Sequence, residues 1–112
     1  MLTKHAQELD DVTFQDLINR AARPVLVDFW APWCPPCRAL APTIEAIAER
    51  FDGRADVAKV DIDRSPETAA AHGITSIPTV LIFRGGRLVD RVTGVQPRAR
   101  YERALEAAGA KR

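Results

Sequence analysis

Cys34 and Cys37 are the only cysteines of the chain, and they stand two residues apart in the stretch WAPWCPPCR, with Pro35 and Pro36 between them. A thiol pair at this spacing has three uses: reversible redox chemistry, ligation of a metal, or a static cross-link. In disulfide exchange the thiolate is the nucleophile, so the placement that matters is one that lowers the thiol pKa below its free value of about 8.5. The apolar run PVLVDFW ends just before the pair and a helical pattern starts at residue 35, which puts Cys34 at the beginning of a helix. Free backbone N–H groups and the positive end of the helix dipole favour a thiolate there. Cys37 follows on the same turn, so Cys34 can attack a disulfide and Cys37 can resolve the mixed disulfide that results. Pro35 and Pro36 occupy first-turn positions, where a missing N–H breaks no intrahelical bond. They stiffen the ring that closure creates and remove two donors that would otherwise face the Cys34 sulfur, while the Cys37 N–H remains.

The other uses of the pair stay open at this level. A structural zinc site takes about four protein ligands, and the chain adds only His5 and His72, without finger spacing. A metal or iron–sulfur centre shared across a dimer, or an inert disulfide, would also employ both sulfurs. His5 and His72 read as surface or helix-end residues with no catalytic role. Asp28 is the next candidate, because it sits inside the apolar strand VLVDFW. A carboxylate in a core strand is costly unless it is paired or protonated, which points to function, with a satisfied structural network as the alternative. Trp33, past the end of that strand and beside the thiol, reads as exposed and available to a partner. Ile77 and Pro78 open the strand TVLIF, either as an ordinary strand-start proline or as backbone set against the helix start.

Four β-branched or aromatic runs must carry these residues: PVLVDFW (24–30), VAKVDID (57–63), TVLIF (79–83) and the alternating RLVDRV (87–92). The first three read as buried strands and the last as an edge strand. FRGGR between the last two predicts a tight hairpin. Helical patterns fill the gaps. DVTFQDLINRAA presents Phe14, Leu17, Ile18 and Ala21 on one face, with Asp11 as N-cap. Residues 35–51 align Leu40, Ile44, Ile47, Ala48 and Phe51, with Pro42 expected to kink the helix. SPETAAAHG has Ser65 as cap and Gly73 as stop, and QPRARYERALEAAG starts near Pro97 and closes at Gly109. The order predicts an α/β domain with a mixed sheet and helices on both faces.

The chain has 112 residues, 46% hydrophobic and 28% charged, which fits one domain over 1–112 with a core over about 8–108. Its formal charge of +1, with no block of like charge, gives no nucleic-acid surface. No apolar run is long enough for a membrane span, and MLTKHAQELDD reads as mature sequence. A monomer working in the cytoplasm is expected. No glycine-rich phosphate loop follows a strand, so flavin and nicotinamide have no site, and no bound cofactor is expected beyond the redox-active Cys34–Cys37 pair.

PVLVDFWAPWC, PPC-R, VAKVDID, HGITSIPT, FRGGR and VTG occur in the order and spacing of the thioredoxin family, which the chain resembles over nearly all its length. The resemblance implies the thioredoxin fold and a protein-disulfide reductase that takes electrons from thioredoxin reductase or an equivalent donor and passes them to client proteins with exposed disulfides. By position it implies that Cys34 is the exposed nucleophile and Cys37 the buried resolving thiol. Asp28 is then the buried acid beneath them and Lys59 its partner. Trp33 is the indole beside the site and Trp30 the packed one behind it. Ile77 and Pro78, with a cis bond between them, form the loop facing the dithiol, and Gly94 lines the client groove with Gly73 and Ser76 flanking it. The chain departs from the family at Pro35, where W-C-G-P-C is usual, and at Ser76, where many relatives carry glycine. A dithiol oxidant or isomerase, a binding module with incidental cysteines, and a donor dedicated to one client are the competing functions.

Overall fold

A computed structural model describes residues 5–111; residues 1–4 and 112, and with them the outer ends of the predicted domain and the first residues of the expected mature N-terminus, lie outside it. The elements run β1 (Gln7–Leu9), α1 (Asp11–Arg20), β2 (Val25–Trp30), α2 (Pro35–Arg50), β3 (Asp56–Asp61), α3 (Pro66–Ala71), β4 (Thr79–Arg84), β5 (Arg87–Thr93) and α4 (Arg98–Ala107). The strands form one sheet in the order β1-β3-β2-β4-β5. β3 lies parallel to both β1 and β2, while β4 is antiparallel to β2 and β5 to β4. The run with the most continuous apolar character is thus the central strand, and the alternating one is the edge. Gly85 and Gly86 both adopt positive φ, 60° and 79°, which a two-residue hairpin needs and side chains resist.

Alternation along each strand sends side chains to two apolar layers. On one face Leu26, Val57, Val80 and Ile82 pack with Leu40, Ile44 and Ile47 of α2, its C-cap Phe51, and Tyr101 and Leu105 of α4. On the other, Val27, Phe29, Val60, Leu81 and Phe83 pack with Phe14 and Ile18 of α1. His72 takes the helix-end place that the sequence allowed it. It is half-buried at the C-cap of α3, with its ring edge-on to Phe14 and Phe83 at 5.1 and 5.6 Å. α2 runs unbroken through Pro42, which lies on an exposed position.

The cap of α1 falls on another residue than the sequence indicated, and Ser65, at the N-cap of α3 as expected, makes no capping hydrogen bond with its side chain. Asp10, not Asp11, caps α1: its carboxylate accepts from Val12 N and Thr13 N, and the Thr13 hydroxyl accepts from Asp10 N in return. Asp11 instead reaches across to α3, where its Oδ1 accepts from Thr68 N at 2.8 Å and from the Thr68 hydroxyl at 2.5 Å. That carboxylate does the work assigned to Ser65, whose hydroxyl is buried with no protein partner. At the other end of the sheet, arginines meet helix C-termini. Arg54 donates to Arg50 O and Lys111 O, and Arg84 donates to Ala108 O from a space that a side chain at Gly109 would fill.

Candidate active site

The C-terminal end of β2 delivers the chain to the N-terminus of α2, and the sulfurs sit at that junction. Cys34 is the N-cap of α2, with extended backbone at φ −99°, ψ 107°, and Pro35 and Pro36 fill the first helical positions. Its Sγ accepts a hydrogen bond from Cys37 N at 3.3 Å, the donor that the two prolines leave in place. Cys34 and Cys37 are joined as a disulfide, with their Cα atoms 5.3 Å apart. The pair is more covered than an exposed nucleophile implies: Cys34 is 4% and Cys37 2% accessible, because Ala31, Trp30, Ile62 and Ile77 close around them.

Opposite the sulfurs runs the turn into β4. The Ile77–Pro78 bond is cis, and the Ile77 carbonyl oxygen lies 3.9 Å from Cys34 Sγ. The turn is held from three sides. The Thr79 hydroxyl donates to Ser76 O, Gly94 N donates to Pro78 O at 2.8 Å, and the Tyr101 hydroxyl donates to Gly94 O while accepting from Gln96 N. The structure therefore brings Ile77, Pro78 and Gly94 together beside the disulfide, with Ser76 adjoining. Gly73 is at the start of the α3–β4 connection, where positive φ of 64° lets the chain leave the helix. Trp33 is 63% exposed, and its indole N–H donates to Asp63 at 2.6 Å, which fixes the ring on the surface next to Cys34. Arg38 donates to Pro32 O and braces the same loop.

Asp28 lies on the sheet face covered by α2 and α4, 1% accessible, and neither carboxyl oxygen has a protein hydrogen-bond partner. Burial raises its pKa from 3.8 to about 7, with Lys59 opposing the rise and Glu8 adding to it. Loss of hydration disfavours the ionised form, and no hydrogen bond restores what burial removes. Lys59 is opposite Asp28 in the β2–β3 register, but it acts at a distance and not as an ion-pair partner: its Nζ lies 4.4 Å from the centre of the Trp30 ring. Asp63, Tyr101, Arg38 and Glu8 went unrecognised in the sequence. Nothing local marks them, because each reaches the site through a tertiary contact or through strand register.

Among the described residues no group of three or more His, Cys, Asp or Glu is arranged to hold a metal ion, and no helix is long and apolar enough to cross a membrane. The model of the thioredoxin family matches residues 5–107. Thioredoxin 1 of Nostoc sp. is 46% identical over 101 residues, covering 90% of this chain and 94% of that protein. Thioredoxin of Synechocystis sp. is 43% identical over 88% of this chain and 92% of its own length, and thioredoxin of Alicyclobacillus acidocaldarius 47% over 87% and 91%. Fold, bridged cysteine pair and near-full-length similarity agree: the chain belongs to the thioredoxin family and is a protein-disulfide oxidoreductase working by dithiol–disulfide exchange.

Proposed function

We propose that the protein reduces exposed disulfides in client proteins, with Cys34 as the attacking nucleophile, Cys37 as the resolving thiol and Asp28 as the buried acid–base. The observation that carries this division of labour is the hydrogen bond from Cys37 N to the sulfur of Cys34 at the head of α2. A donor and a helix N-terminus at one sulfur favour its thiolate. The Cys34 thiolate attacks one sulfur of the client disulfide, the client S–S bond breaks, and the departing client thiolate takes a proton from water. The Cys37 thiol then passes its proton to the Asp28 carboxylate. The resulting thiolate attacks the Cys34 sulfur, and the second client thiolate leaves and takes up the proton that the Asp28 carboxyl gives back. The client gains two electrons and two protons, and Cys34 and Cys37 are left oxidised. A carboxyl with a pKa of about 7 is matched to proton transfer near neutral pH.

Trp33, Ser76, Ile77, Pro78 and Gly94 form the client groove, where an extended client segment pairs with the Ile77 backbone as an added strand would. Lys59 tempers the charge on Asp28, and Pro35 and Pro36 tune the dithiol. Thioredoxin reductase or an equivalent external donor returns the disulfide to the dithiol, and the domain works without a bound cofactor, as a monomer, apart from nucleic acid and membrane. Its place is the cytoplasm, where the thiol pool keeps dithiols reduced; cell fractionation checks this.

Expression of Cys37→Ser in cells tests the roles directly. The variant accumulates mixed disulfides on Cys34 that dissolve in reductant, while Cys34→Ser/Cys37→Ser captures none. Equal capture by both variants would remove Cys34 from the nucleophile's role. Equilibration of the dithiol with glutathione separates a reductase from an oxidant or isomerase, which sits at a higher potential.

A further inference from the structure

Strand register sets three charged side chains in a row across the sheet. Glu8 of β1 is paired with Lys59 of β3, and Lys59 is paired with Asp28 of β2. Paired residues on neighbouring strands project to the same face, so Lys59 stands between two carboxyl groups. Val80 and Val92 extend the row on the other side and bring no charge. Left to choose by charge alone, the ammonium would pair with the buried carboxyl, where low dielectric makes the attraction greatest. It does not: Nζ lies over the Trp30 ring, and Asp28 is left without a hydrogen-bond partner. Trp30 and Glu8 line the same cavity of 590 Å³, which opens at the C-terminal ends of β1, β2 and β3.

We propose that Glu8 is a positioning residue for the acid–base step: together with the Trp30 ring it draws the Lys59 ammonium towards this cavity and off Asp28, which leaves the Asp28 carboxyl able to carry a proton. This rests on the acid–base role given to Asp28 above. A direct Lys59–Asp28 ion pair would hold the carboxyl ionised and unable to give the proton back. Exposed Glu8 lies at the rim, so it exerts its pull without adding a second buried charge. The other ionisable groups around Asp28 are accounted for. α2 presents Cys37 and Cys34, which are bridged. α4 presents Tyr101, whose own pKa is raised chiefly by burial and in part by Asp28, and whose hydroxyl is engaged with Gly94 and Gln96. The cavity adds Asp10, Asp61 and Arg64. Asp10 is held as the α1 cap, and Asp61 accepts from Asp63 N. Glu8 is the carboxylate in register with Lys59.

The test is an NMR titration of the Asp28 carboxyl carbon in the full chain, with Glu8→Gln, Glu8→Asp, Lys59→Gln and the Glu8→Gln/Lys59→Gln pair. Glu8→Gln lowers the Asp28 midpoint by about half a pH unit, a threefold change in proton affinity, and moves the pH profile of mixed-disulfide release by the same amount. Glu8→Asp keeps most of the wild-type midpoint. In the Lys59→Gln background the Glu8→Gln shift falls below half its size, since Glu8 acts through the lysine. High salt shrinks the shift, as expected for a charge at the rim. A midpoint that stays in place or rises in Glu8→Gln overturns the proposal. So does an equal shift in both backgrounds, which would assign the effect to a direct field across the sheet. The titration reads protonation of Asp28 whether or not that residue is used in catalysis. Failure of the acid–base role itself shows elsewhere, as undiminished release in Asp28→Asn.

Discussion

Asp28 is a residue whose usefulness and cost have the same origin. Its pKa is about 7 in the folded chain against 3.8 as the ordinary value. The folded state therefore binds the proton more tightly than the unfolded state between those two pH values. Stability from this group is fully present below the ordinary value and is lost as pH rises through the folded one. The loss is on the order of a few kcal/mol. Asp28→Asn is thus expected to unfold at markedly higher denaturant than wild type at pH 8 and at similar denaturant at pH 3, measured by urea titration. A uniform gain at both pH values would mean that the carboxyl is hydrated in the native state. Pro35 is the residue where the chain leaves its family's pattern. As the first helical residue it has no N–H to offer the Cys34 thiolate, and its ring limits the freedom of the open form. Both effects favour the disulfide and make the dithiol the stronger reductant. Pro35→Gly is expected to raise the potential by about 30 mV or less, which is about 1.4 kcal/mol for two electrons; equilibration with a glutathione or dithiothreitol series measures it. A lower potential in the glycine variant would reverse the assigned sign. Both residues were legible in the sequence, because a carboxylate inside VLVDFW and a second proline inside CPPC are local anomalies.

At the scale of elements, the four helices and the strands β2 to β5 were legible from period and punctuation; β1, three residues with no apolar run, was not, and the ends and caps were less so. Asp10 and Asp11 are equally good capping residues in isolation. What separates them is that α3 lies within reach of Asp11, a fact of tertiary packing. α3 has six residues, too few to hold itself, and it takes its first-turn partner from another helix. Asp11→Ala is expected to lose about 1–2 kcal/mol, whereas Ser65→Ala is expected to change stability little, because its hydroxyl has no protein partner to lose. Chemical denaturation of the two variants decides between this arrangement and the one that local sequence implies. The reverse ranking would restore Ser65 as the working cap. Register was the other illegible quantity. Periodicity says which face a residue takes, but only the pairing of β1 with β3 sets Glu8 beside Lys59.

The whole molecule joins parts that are distant in the chain, which is why the supports of the site escaped a linear reading. Tyr101 of the last helix holds Gly94, and Gly94 holds Pro78. The same architecture sorts charge along the strand direction. Glu8, Asp10 and Asp61 gather, with Arg64, around the cavity at the C-terminal ends of the parallel strands, the end that bears the disulfide. Arg23, Arg54, Arg84 and Lys111 line a cavity at the opposite end. The formal charge of +1 conceals this separation. The protein is nearly neutral as a monopole, and charge sorted in this way is expected to give it a dipole. A charged partner therefore exerts a torque on it before contact, turning one end towards itself. Its rate of encounter depends on ionic strength, although its net charge alone would predict almost no dependence.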